Sequence, residues 1–232
     1  MPRIAPILGG CDTTVGELRG EPVWLVWHNS HDGSSRSVSL QIAMSVGYPM
    51  MGTISSVSDR RERDMPSFPH SAFFEHFTIG VKPAEVGPRV VVDAQTCFHV
   101  RRVFRGGGGG YVRLRNGFIT TSAEFYKPSP IGIGTGVHRP PTLEETTALV
   151  EDVAHLAARF RDAYQRSYAE IAQTGGREAA EAWSRAAADA QVAEDRRTKK
   201  VMLIVFGVVG CVSLAIIVPS LAFTAAMMWL TG

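Results

Sequence analysis

The chain has 232 residues, a formal net charge of +2 and three cysteines. So small a net charge excludes whole-molecule electrostatic attraction to nucleic acid. Cys11, Cys97 and Cys211, few and far apart, exclude an extracellular disulfide framework. Neither Asn29 nor Asn116 heads a glycosylation acceptor, which fits a reducing, cytosolic compartment. Met1–Gly10 holds only a short apolar patch broken by Pro6 and does not make a signal peptide. Residues 1–19 read as an N-terminal arm.

From 20 to 130 the pattern is that of a β-rich domain with antiparallel strands. Val23–Trp27 is a strand, and Asp32-Gly33 signals a turn. Ser37–Val46 alternates, with Val38, Leu40 and Ile42 on one face. Residues 58–70 are too charged to bury and read as an exposed loop. Phe68, Phe73, Phe74 and Phe77 are core aromatics or a partner-binding loop. Phe77–Val81 and Val90–Val92 read as further short strands, punctuated by Pro83 and Gly87-Pro88.

Residues 98–126 read as a meander. Phe98–Arg105 and Tyr111–Phe118 flank Gly106–Gly110, and a hairpin closed by that run gathers His99, Arg101, Arg105, Tyr111, Arg113 and Arg115 on one face. Phe98, Val100, Phe104, Val112, Leu114 and Phe118 occupy the other, with Arg102 as the exception. Asn116-Gly117 then turns the chain into Ile119–Tyr126. Guanidinium groups on a rigid ribbon make bidentate bonds to carboxylates and phosphates. Arg101, Arg105, Arg113 and Arg115 are therefore the candidate binding residues, for an acidic partner or anionic lipid.

Other chemistry has less behind it. His28, His31 and Asp32 lie within five residues, but the spacing and the lack of a second ligand pair do not make a metal site. Gly106–Gly110 and Gly132–Gly136 lack the Lys-Ser/Thr of a phosphate-binding loop. No catalytic residues and no cofactor are assigned.

Residues 131–141 read as a Gly/Pro linker and 142–200 as a helical stalk. Pro140-Pro141 bars an earlier start, and Thr142 with Glu145 forms a capping box. Leu149, Val153, Leu156, Phe160, Tyr164 and Ile171 recur at helical spacing. This stripe packs on the protein's own domain or pairs as a coiled coil, whose heptads last only until Ser167 and Glu170. Thr174-Gly175-Gly176 stops or kinks the helix. A second, alanine-rich helix from about Arg177 has a thin apolar face of Trp183, Ala187, Ala190 and Val192, and reads as solvated.

Val201–Leu230 contains no charged residue. A span needs about 20 residues, so this run reads as a single transmembrane helix that Pro219 kinks. Arg196, Arg197, Lys199 and Lys200 precede it, which places the N-terminal side in the cytoplasm. A span so near the end implies post-translational insertion, that is, tail anchoring. The expectation is an α+β protein: a mostly antiparallel β domain, a helical stalk and one C-terminal transmembrane helix. Its expected role is an adaptor, tether or anchored subunit of a membrane complex, contacting lipid through the helix and a protein partner through the domain. A SNARE-like helix before the span is one alternative, and a membrane-bound enzyme is another.

Overall fold

The computed structural model describes residues 13–32, 35–56, 76–91, 94–105, 111–127 and 137–231. Side chains are described for these, except 29–32, 35–37, 105, 126–127, 137–138, 207–212 and 214–231. The chain divides into two units, residues 1–188 and 189–232.

The first unit is built on a seven-stranded, wholly antiparallel sheet. The strands are β1 (Thr13–Leu18), β2 (Glu21–Asp32), β3 (Ser35–Ser45), β4 (Met51–Ser56), β5 (Phe77–Lys82), β6 (Tyr111–Arg115) and β7 (Phe118–Glu124), in the order β1-β2-β3-β7-β6-β4-β5. The expected strands at Val23–Trp27, Ser37–Val46 and Phe77–Val81 form, while the expected Tyr111–Phe118 is divided by the Asn116-Gly117 turn: Tyr111–Arg115 is β6 and Phe118 begins β7. The expected arm contributes an edge strand, since Thr13–Leu18 pairs with β2. Leu18↔Glu21 and Arg115↔Phe118 close two-residue hairpins. The second has Asn116 at φ 54 and Gly117 at φ 76, the geometry whose twist matches that of the strands. Residues 58–70, Phe68, Phe73, Phe74 and both glycine runs lie outside the described residues. Two further strands, β8 (Tyr126–Lys127) and β9 (Val137–His138), pair with each other. The expected linker is thus tied down at its middle.

Period-2 alternation decides what each strand buries. Leu40, Ile42 and Met44 of β3, Ile54 of β4, Phe77 and Val81 of β5, Val112 and Leu114 of β6, and Ile119 and Ala123 of β7 point to one face. All are at most 7 % exposed. Helices α1 (Val86–Val90), α2 (Ala94–Arg105) and the first half of α3 (Leu143–Thr231) cover that face and complete one core.

Two expected strands give way to helix, the first only in part. Of Val90–Val92, Val90 ends α1, Val91 caps it and Val92 lies outside the described residues; Val86 and Val90 lie four apart on the buried side of α1, and burial there overrides the β-preference of valine. Phe98–Arg105 fails because the segment carries a helical repeat as well. Cys97, Val100, Val103 and Phe104 form one buried stripe of α2. Arg102, the residue that breaks the strand alternation, takes its natural place beside that stripe.

The α3 N-terminus forms as the capping box dictates. The Thr142 N–H donates to Glu145 Oε2 at 2.8 Å, and the Glu145 N–H donates to Thr142 Oγ1 at 3.2 Å. Arg139 adds a two-pronged bond to the same carboxylate, at 2.7 and 2.5 Å. These bonds hold the Glu145 carboxyl at about 2, chiefly through Arg139. Leu149, Val153, Leu156, Phe160 and Tyr164 are each at most 4 % exposed, so the stripe is committed to the protein's own core. Arg161 to Glu21 (2.8 Å) and Gln165 to Tyr48 (2.7 Å) fasten its flanks to the sheet domain.

Gly176 then breaks the helix at φ 83, ψ 168. Tyr164 Oη donates to Ser184 Oγ at 2.9 Å. Along a straight helix these residues would stand about 30 Å apart. The chain therefore reverses at Gly176: Trp183 packs back on the core, and Ala180 is fully buried. The solvated reading of this segment does not hold for those residues.

The second unit is helical through Thr231. Val201–Phe206 are 52–73 % exposed. Beyond Phe206 only Ser213 has a described side chain, so most of the expected span lies outside the described side chains. Among the described residues, no helix is long and apolar enough to cross a membrane.

Candidate functional site

Because 98–105 is helical, the four expected arginines do not share a ribbon. Arg113 and Arg115 stay together, two residues apart on β6. Arg101 sits on α2, 9 % exposed, with its guanidinium 5.9 Å from the Phe98 ring centre. Arg105 ends α2, and its side chain is outside the described set. The basic hairpin is thereby replaced by a smaller basic patch on the sheet.

That patch lies on the sheet face opposite the helices. Strand register places Val15, Trp24, Ala43, Thr120, Arg113, Thr53 and Gly80 in one row across it. Arg115 stands opposite Phe118. Lys82 stands opposite Met51, on the same side as Thr53. Arg113 and Lys82 are exposed and Arg115 is half-buried. The Arg113 guanidinium lies 5.1 Å from the centre of the Tyr111 ring, an aromatic contact that steadies it. Trp24 packs edge-on against Phe118 at 5.4 Å, adding an apolar margin to the cations. Among the described side chains, the acidic residues of this face stand on other strands, Glu17 opposite Pro22 at the far edge of the sheet and Glu124 opposite Ser39 at the end of β7. The face is polarised, and its cationic end offers guanidinium groups on a rigid backbone, suited to carboxylate or phosphate oxygens.

A second polar cluster, absent from the sequence reading, joins α2 to α3. Asp152 is 2 % exposed. It pairs with His99 Nδ1 at 2.6 Å and Arg102 Nε at 3.2 Å. The His99 ring stacks on His155 at 4.0 Å, and His155 Nε2 lies 3.4 Å from Thr96 Oγ1. Burial raises the Asp152 carboxyl above its ordinary range, against the pull of His99 and Arg102. The carboxylate fixes the orientation of the His99 imidazole and locks the two helices together. Fifty-three residues separate His99 from Asp152, so no local motif announces the pair.

Among the described residues, no group of three or more His, Cys, Asp and Glu is placed to hold a metal ion. Of His28, His31 and Asp32, all on β2, His28 is half-buried, while the side chains of His31 and Asp32 are outside the described set. No family model matches the chain, and no curated protein or solved structure shows significant similarity to it.

Proposed function

We propose that this chain is a membrane-anchored binding module. Residues 201–230 cross one bilayer, the sheet domain stands on the cytoplasmic side, and the module works as an adaptor for an anionic partner. The observation that carries the reading is the apolar run. It holds no charge over its whole length, and Val201–Phe206, its described start, expose six consecutive large apolar side chains. Each side chain of this kind gains roughly 1.5–3 kcal/mol on leaving water, so the six favour hydrocarbon by on the order of 10 kcal/mol. Arg196, Arg197, Lys199 and Lys200 then set the orientation.

The cationic sheet face supports the binding half of the proposal. Arg113, Arg115 and Lys82 are suited to acidic protein segments and to anionic headgroups alike. The buried stripe of α3 favours an adaptor over a SNARE-like helix, because a helix spent on its own core is not free to enter a bundle. Deleting Val201–Gly232 tests the anchoring. The truncated chain is expected to leave the membrane pellet after a carbonate wash and to keep its circular dichroism. A truncated chain that still pellets overturns the reading.

A further inference from the structure

The helix reversal at Gly176 builds a groove and its occupant from one chain. The groove is lined by Tyr48, Tyr164 and Glu85. Tyr164 stacks on Tyr48 at 4.5 Å and 14° on one side and meets the Trp183 ring at 4.8 Å on the other. Trp183 Nε1 donates to Glu85 Oε2 at 3.4 Å, and Ser184 accepts from Tyr164. Ala180 and Ala187 of the same segment are buried. The occupant is a short helical segment, Arg177–Ala188, held by a few side chains and connected through one non-helical residue.

That residue is a switchable joint. At φ 83, ψ 168 Gly176 occupies a region essentially reserved for glycine. Nothing lies within 4 Å of the place a Cβ would occupy, so a side chain there meets no clash and only the backbone angles resist it. With helical angles at Gly176 the helix runs straight. Ser184 then stands about 30 Å from Tyr164 of its own chain. The groove is left open to the same segment of another molecule, with the same contacts.

We propose that two copies of this chain dimerise by exchanging Arg177–Ala188. The Tyr48–Tyr164–Glu85 groove of each receives Ala180, Trp183 and Ser184 of the other. The exchange preserves the docking contacts and alters one hinge residue, the circumstance in which swapping has a low cost. Straightening also restores helical hydrogen bonds across residues 175–177. Opposing this are the lost freedom of two molecules joining and the poor helix propensity of the Gly175-Gly176 pair. The balance is therefore set by concentration and by the hinge residue. This inference uses only the first unit and is independent of the anionic face.

The test is the mass of the full chain in detergent micelles by sedimentation, with the detergent density-matched. Gly176→Ala disfavours the bend while tolerating the straight helix. It is expected to raise the dimerisation constant at least tenfold, since strain of this kind in a non-glycine residue shifts an equilibrium by about that factor or more. Adding Trp183→Ala to Gly176→Ala is expected to return the chain to monomer. A second route spares the substitution: wild-type chain refolded from denaturant at high concentration should yield a fraction of dimer, and Gly176→Ala should enlarge that fraction. The proposal is overturned if Gly176→Ala stays monomeric and no refolded dimer appears. It is equally overturned if the Gly176→Ala dimer survives the addition of Trp183→Ala, for then another surface, such as the 201–230 helix, makes it.

Discussion

Replacing Phe160 with alanine separates a helix that serves its own domain from one reserved for a partner. Phe160 is fully buried in the core shared by α3 and the sheet. Truncating a buried phenylalanine removes its transfer free energy and leaves a cavity, together about 3–5 kcal/mol. Domains of this size have a total stability of roughly 5–15 kcal/mol, so the substitution removes a large share of it. Arg166→Ala is the control on the same helix. Its side chain is 61 % exposed and its bridge to Asp162 spans one turn, so the expected cost is only a few tenths of a kcal/mol. Urea unfolding of the chain lacking 201–232, followed by circular dichroism, reads both. A loss for Phe160→Ala no larger than for Arg166→Ala would refute the packing described above. It would also revive a SNARE-like use of the helix.

Other consequences follow from the same geometry. The Glu145 carboxyl sits at about 2 in the folded chain against an ordinary 4.5. Its stabilisation is therefore complete above pH 4.5 and fades as the pH falls toward 2. Because Glu145 and Arg139 are 35 % and 23 % exposed, solvent screening limits it to about 1 kcal/mol. Glu145→Gln should lower the thermal midpoint at pH 7, with the gap to wild type closing between pH 4.5 and 2. Asp152→Ala should cost about 3 kcal/mol in denaturant titration, since it leaves the His99 and Arg102 side chains without their shared carboxylate. Arg113→Glu with Arg115→Glu should weaken flotation with anionic vesicles or capture on an acidic peptide. Each basic residue is worth about 1 kcal/mol at low salt, and the effect shrinks as salt rises. Unchanged binding on an intact fold would make this face plain solvated sheet.

Local chemistry was legible in the sequence wherever a single pattern was on offer. Thr142 and Glu145 announce the α3 start, Asn116-Gly117 the β6–β7 hairpin, and Leu149 to Tyr164 the buried stripe, because each signal is complete within a few residues. The reading fails at Phe98–Arg105, where two periods fit one short apolar segment. Length arbitrates there: a stripe begun at Cys97 gives the 12-residue α2. The error moves two of the four candidate arginines off the sheet. The Asp152 cluster and the Tyr164–Trp183 contact were not legible at all. Both depend on how α2 and the two arms of α3 pack, which no local pattern encodes. Gly175-Gly176 marks a break but not its direction; that is set by the aromatic contacts of Tyr164 and Trp183.

Protease digestion of sealed vesicles carrying the full-length chain bears most directly on the central claim. Protease added to the cytoplasmic side should remove the sheet domain and the whole of α3 up to the Arg196–Lys200 cluster. A fragment of roughly 30 residues should remain protected, the length that spans a bilayer with room for tilt. Protection of the N-terminal domain would reverse the orientation, and complete digestion with no protected fragment would mean that residues 201–230 do not cross the membrane.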